Sequence, residues 1–178
     1  MVTTAIYAGS FDPITRGHED LIRRSCEFVD HLVVAVAVNS SKKALFTTEE
    51  RVELIRAATS KNKLVEVTQF EGLLVDFAKK IGAKLNIRGL RAVSDFEYEF
   101  QMALMNRHMS ESFETVFMVP SVETTYISSS VVREVAQHHG NLEGLVHPAV
   151  AKALAKKFSH NKPSSPPSKS SKGSARRG

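Results

Sequence analysis

The stretch Ala5-Ile6-Tyr7-Ala8-Gly9-Ser10-Phe11-Asp12-Pro13-Ile14-Thr15-Arg16-Gly17-His18 decides how this chain is read. Its first four residues form an apolar run of strand length, and its end opens onto helical spacing through Leu21, Ile22, Ser25, Cys26 and Val29. The order is strand, glycine-bearing turn, helix, with a histidine at the helix start. A helix N-terminus presents unpaired N–H groups and about half a positive charge, which favours phosphate. Gly9 and Gly17 let the backbone come close to a ligand. Ser10 and His18 supply a hydroxyl and an imidazole to the same place. A two-glycine turn alone is common and a lone histidine at a helix start is usually a surface cap; together they read as a nucleotide phosphate site.

Outward from this turn, strand and helix candidates alternate. Strands are expected over 3–7, 32–38, 65–69, 85–88 and 115–119, and helices over 18–29, 47–59, 73–81, 94–109, 128–137 and 148–158. Thr47 with Glu50 makes a capping box, as does Ser94 with Glu97, and Gly82 closes the third helix. This alternation implies right-handed crossovers and an α/β fold: a Rossmann-like open parallel sheet of five strands with helices on both faces, plus C-terminal helices. In such sheets ligands bind beyond the carboxyl ends of the strands. The polar residues with chemistry fall on that rim. Ser10 and His18 follow the first strand, Lys42 the second, and Gly72 to Leu74 the third. Arg88 and Arg91 end the fourth, and Thr124 to Ser130 follow the fifth.

A chain of 178 residues with 42% apolar and 24% charged residues fits one soluble domain, placed at 1–158. No apolar run approaches membrane-spanning length, the longest candidate being Leu32 to Val38. No basic region followed by an apolar stretch opens the chain, so cytoplasm is the expected location and no membrane partner is expected. Cys26, the single cysteine, is read as a small buried hydrophobe. The net charge of +5 is concentrated in residues 159–178, which hold Lys162, Lys169, Lys172, Arg176 and Arg177 and no acid. Removing those five from the 24 basic residues leaves 19, equal to the 19 acidic ones, so no nucleic-acid partner is expected for the folded part. The Ser/Pro/Lys-rich tail is read as disordered.

Arg88-Gly89-Leu90-Arg91 sets two guanidinium groups around a glycine; it suits phosphate, and ion pairs with Asp95 or Glu99 explain it nearly as well. Ser128, Ser129 and Ser130 at a helix mouth form a second anion cradle, or an N-cap with spare serines. His138 and His139 read as helix C-terminal residues and not as metal ligands. Two cradles, several cations and no nucleophile–base pair point to phosphoryl or nucleotidyl transfer without a covalent intermediate. An acceptor that is itself a phosphate is already anionic, so catalysis reduces to alignment and charge neutralisation.

Gly9 to His18 resembles the T/H-x-G-H signature of the nucleotidyltransferase superfamily. From about residue 4 to 158 the chain resembles the bacterial phosphopantetheine adenylyltransferases. The resemblance is carried by Gly9 to His18, Ser41-Lys42-Lys43, Phe46-Thr47, Glu49-Glu50-Arg51-Val52, Ile87 to Arg91, Asp95-Phe96-Glu97-Tyr98-Glu99, Met105-Asn106-Arg107-His108, Ile127 to Ser130 and Glu134-Val135. It implies adenylyl transfer from ATP to 4′-phosphopantetheine, giving dephospho-coenzyme A and pyrophosphate. It implies that His18, with Ser10 beside it and Lys42 and Arg91, carries catalysis. Ser10, Lys42 and Arg88 would hold the acceptor, and Leu74 its chain. Ser10, Phe11, His18, Gly89, Leu90, Arg91, Glu99, Thr124, Thr125, Tyr126, Ile127, Ser128, Ser129 and Ser130 would bind ATP. It further implies Mg2+ held mainly through nucleotide phosphates, a homohexamer, and coenzyme A as a feedback ligand. The chain departs from the pattern at Ala8 for a frequent Pro, Ser10 for Thr, and Arg16 for Asn, where a charge beside the site is expected. Thr124-Thr125-Tyr126 lacks an aromatic found there in some members, and the tail has no counterpart.

Overall fold

The computed structural model describes residues 2–38, 43–91 and 93–159. Among these residues five strands, β1 (Thr4–Gly9), β2 (His31–Ala37), β3 (Val65–Phe70), β4 (Leu85–Gly89) and β5 (Glu114–Met118), alternate with six helices. The helices are α1 (Arg16–Ser25), α2 (Thr48–Thr59), α3 (Leu74–Ile81), α4 (Val93–Met109), α5 (Ser129–Gln137) and α6 (Pro148–Phe158). All strand pairs are parallel and the order is β3-β2-β1-β4-β5. The five-stranded Rossmann-like sheet expected from the sequence is the sheet observed.

Alternate side chains of the central strands serve two cores. Ala5, Tyr7, Leu32, Val34, Val36 and Ile87 pack with residues of α1, α2, α5 and α6 on one face. Ile6, Ala8, Val33 and Ala35 pack with α3 and the end of α4 on the other. Burial on both faces is why β1 and β2 read as unbroken apolar runs. The chain leaves β1 toward β2 and later returns to β4 on the opposite side of β1. Direction therefore switches between β1 and β4, and a crevice opens beyond their carboxyl ends.

Local signals held at several ends. Thr47 N donates to Glu50 Oε2 at 2.8 Å and Glu50 N to Thr47 Oγ1 at 3.2 Å, closing the α2 capping box. Gly82 ends α3 in the left-handed region at φ 70°. His138 caps α5 and His139 follows at φ 56°. Two starts differ. α1 begins at Arg16, so His18 lies inside its first turn. α4 begins at Val93, so Ser94 lies within the helix instead of capping it. Cys26 caps the C-terminus of α1, half-buried, and burial pushes its thiol pKa up. Residues 160–178, with their five basic side chains, lie outside the described residues.

Candidate active site

The turn after β1 is pinned from three directions. Asp12, almost fully buried, accepts the backbone N–H of Leu45 at 2.8 Å and of Phe46 at 2.9 Å. Arg51, also buried, donates to the Ser10 carbonyl at 2.8 Å. Arg133 of α5 donates to the Asp12 carbonyl and stands 3.6 Å from its carboxylate. The Asp12–Pro13 peptide is cis. Phe11 occupies the left-handed region at φ 45°, and its buried ring meets Tyr7 and His18 edge-on, with centroids 5.3 and 5.1 Å away.

His18 is held by its own helix end. Its Nδ1 accepts the Thr15 N–H at 3.0 Å and lies 3.0 Å from Thr15 Oγ1. A backbone N–H only donates, so Nδ1 is the unprotonated nitrogen and a neutral ring carries its proton on Nε2. Burial, followed by the Arg91 and Arg88 charges, lowers the His18 pKa to about 4. The imidazole is therefore a neutral hydrogen-bond donor near neutral pH. Burial also raises the Tyr7 pKa, against the opposing pull of Arg88 and Arg91.

A cleft of about 310 Å³ lies beside His18, lined from β1 and its turn by Ser10 and Phe11 and from β4 and α4 by Arg88, Gly89, Arg91 and Glu99. Its far wall is Thr124, Ile127, Ser128, Ser129 and Ser130. Ser128 Oγ caps α5 by accepting Val131 N at 3.2 Å, and Ser129 Oγ donates to the Pro13 carbonyl at 2.8 Å. The two loops thus touch directly, and Gly17 permits it. A Cβ there would stand 3.3 Å from the Thr124 carbonyl oxygen and 3.5 Å from that of Ile127. At Gly89 it would fall 2.4 Å from Leu21 Cδ1. Gly17 was expected to admit a ligand; it admits the facing loop.

Of the two readings of the arginine pair, the ion pairs are observed. Arg88 binds Glu99 through two hydrogen bonds, Nε to Oε2 at 2.7 Å and Nη2 to Oε1, and donates to the Ala8 carbonyl. Arg91 stands 3.5 Å from Asp95. Both still line the cleft. Arg88 and Glu99 also border a second pocket of about 140 Å³, between β4, β5 and α4, whose walls include Leu74, Asn86, Tyr98, Met102, Asn106 and Thr115. Leu74 belongs to this pocket and not to the cleft. Leu90 is held by its backbone bond to Met118 and does not line the cleft. Thr125 and the exposed Tyr126 lie outside its lining as well. Lys42 falls outside the described residues. Arg16, between the cleft-lining Thr15 and Gly17, pairs with Glu19 at 2.5 Å and lines a different groove. Among the described residues no group of three or more His, Cys, Asp or Glu is placed to hold a metal, and no helix is long and apolar enough to cross a membrane.

Residues 6–135, from β1 through most of α5, match the family described as cytidylyltransferase-like. The chain belongs to the cytidylyltransferase-like family. Both cleft loops lie inside the matched span. A solved structure from Vibrio parahaemolyticus, of a protein assigned as a nicotinate-nucleotide adenylyltransferase, is similar with a TM-score of 0.68 over 88% of this chain and 93% of that one. At 17% identity this likeness speaks for a shared fold.

In this cytidylyltransferase-like chain, the supports that sequence reading passed over are Asp12, Arg51 and Arg133. Asp12 and Arg51 carried a signal, a carboxylate in a tight turn and an arginine in the first turn of a capped helix. Their partners lie 34 and 41 residues away in sequence, so neither contact was readable from neighbours.

Proposed function

We propose that this protein transfers the adenylyl group of ATP to 4′-phosphopantetheine, giving dephospho-coenzyme A and pyrophosphate. The observation that carries this reading is one cleft bounded by a neutral His18 and by the α5 N-terminus, with Arg88 and Glu99 shared between it and a second pocket. The α-phosphate of ATP would lie between His18 and Ser10, with the remaining phosphates toward Arg91 and the Ser128 to Ser130 hydroxyls and N–H groups. An oxygen of the acceptor phosphate attacks the α-phosphorus in line. That P–O bond forms as the bond to the β-phosphate oxygen breaks, and pyrophosphate leaves with the electron pair. The acceptor phosphate is already largely dianionic near neutral pH, so no general base is required. His18 Nε2–H donates to the α-phosphate oxygen on which charge develops, and its neutrality means the donor loses no proton to do so. Arg88, fixed by Glu99, and Lys42 hold the acceptor phosphate; Gly89 and Arg91 serve the nucleotide.

Asp95 and Glu99 are the carboxylates of the cleft and both face arginines, so its donor set fits an Mg2+ ion ligated by the nucleotide's own phosphates. Such an ion would neutralise charge on the departing pyrophosphate. Coenzyme A contains both halves of the product and would compete for the same cleft and pocket. α4 exposes Phe96, Tyr98, Phe100, Met102, Leu104 and Met105, an apolar surface that supports assembly with further copies, as a hexamer in this proposal.

The test is pyrophosphate release from ATP with 4′-phosphopantetheine or with nicotinate mononucleotide as acceptor. The second acceptor is included because of the Vibrio relative. The aliphatic walls that Leu74, Met102 and Ala103 give the second pocket favour the first. Release with nicotinate mononucleotide alone would overturn the proposal.

A further inference from the structure

Asn86 is the second residue of β4, 3% exposed, and is one of the few polar side chains in the interior. Its Nδ2 makes a long contact of 3.4 Å to Thr115 Oγ1. Its Oδ1 is buried and has no hydrogen-bond partner among the described residues. Buried polar atoms without partners are rare and costly, so an orphaned oxygen calls for an explanation. Asn86 is also part of the wall of the second pocket, the one bordered by Arg88 and Glu99.

Residues 86 and 88 stand two apart on one strand, so both side chains leave the sheet on the same face, roughly 7 Å apart along it. In 4′-phosphopantetheine, five atoms separate phosphorus from the first amide nitrogen, and an extended chain of that length also spans roughly 7 Å. With the phosphate on Arg88 and the arm following the pocket, the first amide N–H arrives where the unpartnered oxygen is. An apolar side chain at 86 would fill the same space and offer nothing to that N–H.

We infer that Asn86 is a specificity-determining residue that accepts a hydrogen bond from the first amide N–H of the acceptor's arm. The inference rests on the reading of the acceptor given above. It selects an arm carrying an amide two residues down the strand from the phosphate site, and it leaves the nucleotide half of the reaction untouched.

The test uses the full chain and two acceptors, 4′-phosphopantetheine and its analogue in which an ester oxygen replaces the first amide N–H. For the unaltered protein the ester analogue should show a KM about tenfold higher, with kcat and the KM for ATP unchanged within a factor of two. Asn86→Leu should raise the KM for the amide acceptor by about the same factor and abolish the difference between the two acceptors. Asn86→Asp, which keeps an acceptor oxygen, should restore discrimination. Equal KM values for the two acceptors in the unaltered protein would overturn the inference, whether or not either variant folds. A folded Asn86→Leu that still discriminates would do the same. Absence of any pyrophosphate from unaltered protein and 4′-phosphopantetheine would instead defeat the acceptor reading, a separate result.

Discussion

Thr15 and His18 form a helix start in which an imidazole takes the place usually held by a carboxylate: the Thr15 N–H donates to His18 Nδ1 at 3.0 Å. One contact serves two ends. It satisfies a backbone donor at the entry to α1, and it commits the ring's proton to Nε2.

Replacing His18 with Ala removes the donor proposed for the transition state. Turnover should fall by two or more orders of magnitude, about 3 kcal/mol, with the KM for ATP changing far less. Steady-state kinetics of His18→Ala checks this; near-normal kcat would remove His18 from the proposed mechanism.

The His18 pKa, lowered to about 4 by burial and the two arginines, makes a pH prediction. Turnover should show no inflection from this ring between about pH 5.5 and 8, because it is neutral throughout. Stability behaves differently. Between about pH 6.5 and 4 the unfolded chain binds a proton at His18 that the folded one does not. The stabilising contribution is therefore complete above the unfolded pKa and declines as pH falls toward 4. Denaturation midpoints across that window should fall more steeply for the unaltered protein than for His18→Ala.

Gly17→Ala would press a methyl against the carbonyls of Thr124 and Ile127. The facing loop has to retreat by a few tenths of an ångström, which spreads the cleft. The expected result is a several-fold higher KM for ATP with only a small loss of thermal stability, read by kinetics and a melting curve.

Asp12→Ala removes both acceptors for the Leu45 and Phe46 N–H groups and the partner of Arg133. Buried donors left without partners should cost about 2–4 kcal/mol in a urea titration. Activity should fall as well, since the Ser10 turn loses its anchor.

Truncation after residue 158 tests whether the basic tail serves the reaction. Turnover and both KM values should be unchanged. Loss of activity would favour a role for the tail at the site.

Much of this architecture was legible along the chain. The apolar runs Ala5–Ala8 and Leu32–Val38 and the capped helices between them led to a parallel sheet, and the motif at 9–18 led to its rim. These signals are local: period, propensity and caps depend on residues a few positions apart. Arg88 illustrates the limit. Its sequence context left phosphate binding and ion pairing open, and the fold places it in a bidentate pair with Glu99 on the border of two pockets.

What the sequence alone determined is the order of elements, the parallel sheet and the rim on which the polar groups collect. What only the tertiary structure decided is who meets whom across that rim. Arg51 supports Ser10, Gly17 makes room for Thr124 and Ile127, and Asn86 keeps an unpartnered oxygen beside Arg88. The reason is physical: these partners depend on strand order and register, which bring distant residues within a few ångströms and leave no periodic trace in the chain.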